Sequence, residues 1–112
     1  MQLMTKEIKE KLLHNNAPQN RDLDHKPVVK FFSPFNGSKW LITEMDSADD
    51  DSLFGLCDLG LGFPELGYVS LQELKDLKFK GFPAVERDLH FKAIKPLSHF
   101  TKIASQHERI IA

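Results

Sequence analysis

The chain contains one cysteine, Cys57, so it can form no internal disulfide, zinc knuckle or paired-cysteine redox centre. It has no long continuous apolar stretch. Neither the N-terminal run MQLMTKEIKEKLLHNN nor any later segment approaches the roughly 20 apolar residues of a membrane-spanning helix, or the apolar core of a signal peptide. Charge of one sign is also missing: Lys+Arg 15 against Asp+Glu 16 gives a formal net charge of -1 at pH 7. That balance removes the general electrostatic drive toward nucleic acid or anionic lipid. No nucleophile elbow, phosphate loop, dinucleotide fingerprint or zinc spacing occurs. The absences together lead to the expectation of a cytoplasmic protein without a membrane segment, with an unfamiliar or absent catalytic role and with nucleic acid low among its partners.

What is present suffices for one core. The chain has 112 residues, 41% of them hydrophobic and 28% charged. A chain of this length hides roughly two-thirds of the surface its unfolded form exposes, enough to fold without disulfides or a structural metal. Residues 1–112 therefore read as a single domain: an N-terminal helix and connector over 1–26, a sheet with one short helix over 27–97, and a C-terminal helix over 98–112. Cys57 lies in the apolar run Leu53-Phe54-Gly55-Leu56-Cys57 and reads as a small buried hydrophobe.

Local patterns supply the elements. Thr5 can cap a helix in which Met4, Ile8 and Leu12 recur every fourth residue, and which fades before Pro18. From Pro27 the period changes to two. Val28–Phe32 and Lys39–Glu44 predict two strands joined through Asn36-Gly37, a pair that readily takes a hairpin turn. Leu53–Leu59 and Leu66–Val69 predict the third and fourth strands of a meander. Ser70-Leu71-Gln72-Glu73 has capping-box spacing and predicts a short helix over Leu71–Leu77 with Leu71, Leu74 and Leu77 on its buried side. Val85–Lys92 alternates again and predicts a fifth strand. Ser98 can cap a terminal helix carrying Phe100, Ile103, Ala104, His107, Ile110 and Ile111 at three-four spacing. The predicted fold is α+β: a mainly antiparallel sheet of about five strands with helices packed on one face.

Charge is placed unevenly. Residues 1–45 carry seven basic and five acidic side chains, residues 46–65 none and six, and residues 66–112 eight and five. The middle segment holds the acidic loop Asp46-Ser47-Ala48-Asp49-Asp50-Asp51-Ser52. A solvated loop that discourages edge aggregation is its first reading. A negative patch for a basic protein partner is the second, and a hard-cation site using Asp46, Asp49, Asp50, Asp51 and Glu44 the third. On the predicted fifth strand, Glu86, Asp88 and His90 share one face, the residue types from which metal and acid-base sites are built; Lys92 beside them suits a plain charged face equally well. Trp40 and Phe35, near the hairpin, are candidates for a protein-binding surface, although core packing is the simpler role for Trp40. The terminal helix can dock on its own sheet or on another subunit.

The segments Lys30-Phe31-Phe32-Ser33-Pro34, Phe54-Gly55-Leu56-Cys57-Asp58, Glu65-Leu66-Gly67-Tyr68-Val69-Ser70-Leu71-Gln72-Glu73-Leu74 and Val85-Glu86-Arg87-Asp88-Leu89-His90-Phe91, with Trp40 and Thr43-Glu44 between them, resemble one family: the small bacterial proteins grouped as domain of unknown function twenty-nine fifty-eight. The resemblance runs from the first helix to Pro96-Leu97-Ser98, with the segment after Ser98 expected to lie beyond the usual pattern. It implies a short cytoplasmic protein carried by plasmids, prophages or other mobile elements, and it implies no catalytic residues. The function expected on this basis is a non-enzymatic, protein-binding accessory or anti-defence factor whose partner is a host or mobile-element protein, with no cofactor. The alternatives are a metal-assisted enzyme using Glu86, Asp88 and His90, with a divalent ion and with Asp58 or Glu44 contributed from a neighbouring strand, and a nucleic-acid-binding protein.

Overall fold

Thr5 opens the first helix as the spacing predicts: its backbone is extended, and its hydroxyl accepts a hydrogen bond from the Ile8 amide at 3.2 Å, satisfying one of the donors a helix start leaves unpaired. The helix, α1, spans Lys6–Asn16 and stops at Ala17, before Pro18. A computed structural model describes residues 2–112. In chain order the remaining elements are β1 (Val29–Phe32), β2 (Lys39–Met45), β3 (Ser52–Asp58), β4 (Glu65–Ser70), α2 (Leu71–Asp76), β5 (Lys78–Phe79), β6 (Phe82–Pro83), β7 (Glu86–Arg87) and α3 (Leu97–His107).

The meander forms as expected. β1 and β2 pair antiparallel with Phe31 opposite Trp40, β3 follows, and β4 closes one side with Gly55 opposite Gly67. The five-stranded sheet has the order β4-β3-β2-β1-β7, and β5 and β6 form a separate small hairpin. With a radius of gyration of 13.3 Å, the chain has the size that compact domains of this length reach, about 13 Å.

The fifth strand is much shorter than the alternation predicts. Pairing with β1 covers only Phe31 with Arg87 and Phe32 with Glu86. The chain then turns, because the Asp88 carboxylate accepts from the His90 amide at 2.9 Å. A short acidic side chain that hydrogen-bonds the backbone two residues on offers an alternative to the ladder, and Leu89 is left exposed. Leu77 likewise lies outside the buried side expected of it: it is the C-cap of α2, and only Leu71 and Leu74 of that helix are buried.

Helices cover both faces of the sheet, not one. Leu12 of α1 and Leu71 and Leu74 of α2 join Phe31, Trp40, Ile42, Met45 and Leu53 in one core, whereas Leu97 and Ala104 of α3 join Leu41 and Leu56 in a second. Successive strand residues point to opposite faces, so Trp40 and Ile42 serve the first core and Leu41 the second. A strand buried on both faces reads as a continuous apolar run, which is the character of Trp40-Leu41-Ile42. The terminal helix thus docks on its own sheet.

Remote side chains fasten these helices. Asp24, in the connector, accepts from the Ser98 hydroxyl and, at 3.2 Å, from the Ser98 amide. Ser98 therefore lies inside the first turn, and Pro96 occupies the N-cap position without a side-chain bond of its own. At the other end, Asp58, 1% exposed, accepts from the Ile110 amide at 2.9 Å and from the Gly60 amide at 2.8 Å. Lys30 donates to the Ala112 carbonyl at 2.8 Å.

Candidate functional site

The acidic loop between β2 and β3 is locked into the fold more than it is offered to a partner. Asp51 caps α2: its carboxylate accepts from the Ser70 hydroxyl at 2.6 Å and from the Gln72 amide at 2.8 Å, and its carbonyl accepts from the Leu71 amide at 3.0 Å. Ser70 accepts from the Glu73 amide at 3.1 Å, as the capping-box spacing predicts. Further donors at the helix start, the Ser70 hydroxyl and the Gln72 amide, are satisfied by Asp51, 19 residues upstream of Ser70. Asp49 accepts from the Ser52 hydroxyl and from the amides of Asp51 and Ser52, both at 2.9 Å. These bonds, led by the Ser52 hydroxyl, hold the Asp49 carboxyl below its ordinary value. Asp50 takes a left-handed backbone, φ 51°, and pairs with Lys9 at 3.3 Å. Asp46 accepts from the Ala48 amide at 2.8 Å. Loss of a helix cap costs about 0.5–2 kcal/mol, so Asp51→Ala is expected to lower stability by about 2 kcal/mol, read as a lower urea midpoint with an unchanged slope.

Glu86, Asp88 and His90 do not share a strand face, since β7 ends at Arg87. Asp88 faces Lys30 at 3.4 Å and, through the His90 amide first of all, is held below the usual carboxylate range. Among the described residues no group of three or more His, Cys, Asp and Glu side chains could hold a metal ion. Burial pushes the Cys57 thiol up to about 11, and it packs against the first core, consistent with a hydrophobe's role.

Of the two aromatic candidates, Trp40 is 3% exposed and belongs to the core. Its ring packs in the α1-side core, and it also lines the floor of the groove beside Phe35. Phe35, in contrast, stands out at the β1–β2 turn and stacks on Phe79 of β5, with ring centroids 4.6 Å apart. Phe35, Phe79, Leu59 and Leu77 line a groove of about 190 Å³, and Leu59 joins it to a second groove of about 230 Å³ lined by Leu61 and Phe63. Leu61 and Phe63 are 73% and 77% exposed. Phe82 lies opposite Phe79 across the β5–β6 hairpin and is also exposed. Three separate loops build this patch, and the β1–β2 and β3–β4 turns touch where Gly60, at φ +80°, passes over Gly37. Large aromatic and aliphatic side chains exposed to this degree amount to an apolar surface on the order of 500 Å², in the range where monomer patches are often functional. Sequence reasoning found Phe35 but missed Leu59, Leu61, Phe63, Phe79 and Phe82. The dense glycines and apolar residues of Gly60-Leu61-Gly62-Phe63-Pro64 were the available signal, because a turn has little room to bury them.

A second concavity lies on the α3 side. One lobe, about 430 Å³, runs between the connector and α3, and another, about 290 Å³, opens beside Asp22, Asp46 and Tyr68. Both are bounded by Arg21, Glu44 and Phe54. Glu44 appeared in the sequence only as an accessory ligand, and Phe54 and Tyr68 as strand residues.

No helix among the described residues is long and apolar enough to cross a membrane. Neither the curated proteins nor the solved structures give a match to the chain. A family model does match, over residues 3–111, which takes in α3 and overturns the expectation that the shared pattern stops at Ser98. The match takes in every element from α1 to α3, and the chain belongs to the proteins of unknown function grouped as DUF2958.

Proposed function

We propose that this protein is a non-enzymatic binding module that recognises another protein through the patch centred on Phe35, Phe79 and Leu59. The observation that carries the reading is the exposure of large apolar side chains from three loops around two connected grooves. Rigid aromatic anchors seated in pockets supply most of the energy of protein interfaces. Lys78 lines the first groove, and the Lys80 ammonium lies 5.6 Å from the Phe79 ring centre. Cations at an apolar patch suit an apolar partner segment with acidic flanks. The mobile-element setting implied by the resemblance points to a host or mobile-element protein of a reducing cytoplasm, and the lone thiol of Cys57 fits that compartment.

The test is quantitative capture by the wild-type protein and by two variants, Phe35→Ser with Phe79→Ser, and Lys78→Glu with Lys80→Glu. Removing two aromatic anchors should weaken binding of a specific partner at least about a hundredfold, since each contributes roughly 2 kcal/mol. Charge reversal should slow association and flatten its salt dependence. A partner retained equally by both variants, with unchanged melting curves, would refute the assignment, as would a partner surface without acidic residues.

A further inference from the structure

The register of the sheet places three chemically complementary groups in a row. Glu44 of β2 pairs with Phe54 of β3, and Phe54 pairs with Tyr68 of β4; directly opposed residues share a face. Glu44 reaches that face because of a bulge. The pairing shifts between Ile42 and Glu44, leaving Thr43 as an extra residue. Without the extra residue, alternation from Trp40 and Ile42 would turn Glu44 toward the α1 core. The bulge is itself held in place: Asn15, buried in α1, donates to the Thr43 carbonyl at 3.0 Å.

Glu44 is 8% exposed, a degree of burial that carboxylates rarely reach without a cationic partner. Its Oε1 accepts from the Asn16 side-chain amide at 3.0 Å, a neutral donor. Among the described residues, no cation lies within ion-pair distance of it: the two ion pairs are Lys9 with Asp50 and Lys30 with Asp88. Arg21 borders the cleft, but its Nε donates to the Asn16 carbonyl at 3.1 Å. Asp22 and Asp46 line the same lobe, so its acidic groups outnumber Arg21. The lobe is walled by two rings, Phe54 and Tyr68, whose centroids are 5.1 Å apart, and Tyr68 is 71% exposed.

We propose that this lobe is a guanidinium-binding site. The free oxygen of Glu44 would accept from the guanidinium edge, while Tyr68 and Phe54 present aromatic surface to its flat face. A planar, weakly hydrated cation both donates in a fork and stacks on rings, whereas an ammonium is a compact, strongly hydrated charge. The group can come from free arginine or from an arginine side chain in a peptide. This site is separate from the Phe35 patch and does not depend on its role.

The experiment is an amide chemical-shift titration of the intact protein with N-acetyl-arginine amide, free arginine, lysine amide and the neutral isostere citrulline amide. Saturable shifts at Glu44, Phe54 and Tyr68 with the arginine compounds are expected, with citrulline amide bound at least about tenfold more weakly because it lacks the charge-assisted bond. A tighter fit for the blocked amide assigns the site to peptide arginine, and a tighter fit for free arginine assigns it to the amino acid; both uphold it. Glu44→Gln, which preserves shape and the bond from Asn16, should weaken the arginine compounds about tenfold and leave citrulline unchanged. Tyr68→Ala, at an exposed position, should weaken them without altering the melting curve, and serves if Glu44→Gln does not fold. Absence of saturable shifts, equal binding of citrulline amide or lysine amide, or indifference to Tyr68→Ala would overturn the proposal.

Discussion

Gly55→Ala is expected to prevent stable folding. A Cβ at this position would overlap the Leu41 carbonyl oxygen and come within 2.9 Å of the Ile42 Cα. Both obstacles are backbone in the middle of the sheet, so no side-chain rotation relieves the clash. The close approach occurs where the β2 bulge begins, opposite Ile42, and a glycine inside a strand commonly marks such a site. Even in well-packed cores that can relax, one or two extra methylenes cost about 1–3 kcal/mol. Here β2 and β3 must separate, so a loss beyond that range is expected, against a total stability of about 5–15 kcal/mol for a domain. Circular dichroism should show an unfolded chain or a melting temperature lowered by well over ten degrees, about 4–8 °C per kcal/mol at this size. Gly67→Ala is the matched control. It lies opposite Gly55 on β4, and an added Cβ there meets nothing within 4 Å. A melting curve for Gly55→Ala close to the wild type would show that the strands are not so closely apposed.

Asp58→Ala is expected to have the next largest effect. The carboxylate is buried at the end of β3 and satisfies two amides, that of Gly60 in the following turn and that of Ile110 beyond α3. Removing it leaves the buried Ile110 amide without a partner, at about 1–3 kcal/mol for an unsatisfied buried donor, and forfeits the bond to the amide of exposed Gly60, about 0.5–1.5 kcal/mol, so a loss of roughly 2–4 kcal/mol follows. Lys39, whose ammonium burial holds below its ordinary value while Asp58 opposes that effect, would also lose its nearby anion. Its bond to the Ile110 carbonyl, 3.4 Å, belongs to the same fastening. The expected signature is local as well as global: hydrogen exchange should accelerate over 104–112 more than in β2. Uniform acceleration would mean that Asp58 supports the whole sheet and not the α3 attachment in particular.

The patterns that proved legible are those in which neighbours in sequence decide the outcome. The Thr5 cap, the strand predicted over Val28–Phe32 and the Ser70 cap rest on near neighbours, and each forms, the strand over Val29–Phe32; the β1–β2 hairpin forms as well, although neither Asn36 nor Gly37 takes the positive φ for which that pair is favoured. The candidate surface was partly legible. Phe35 was visible as an aromatic beside a turn, but its neighbours Leu59 and Phe79 come from other loops. The acidic segment is exposed over residues 47–50, as a solvated loop should be, but its bonds to the backbone were not legible. Asp49 closes a turn while remaining exposed, and Asp51 caps a helix. A carboxylate serves either role, and only the position of a distant amide decides which.

By itself the sequence determined the α+β class, the antiparallel meander and the helical ends, because hydrophobic period, caps and turn chemistry are local energies that hold in any packing of these elements. Tertiary structure alone decided the faces on which the helices lie, the early end of β7, the capping of α3 by Asp24, and the row of Glu44, Phe54 and Tyr68. Those features depend on register and on bonds between residues far apart in the chain. A single bulge at Thr43 inverts the side to which Glu44 points, and the same period-two pattern is compatible with either side until the partner strand is in place.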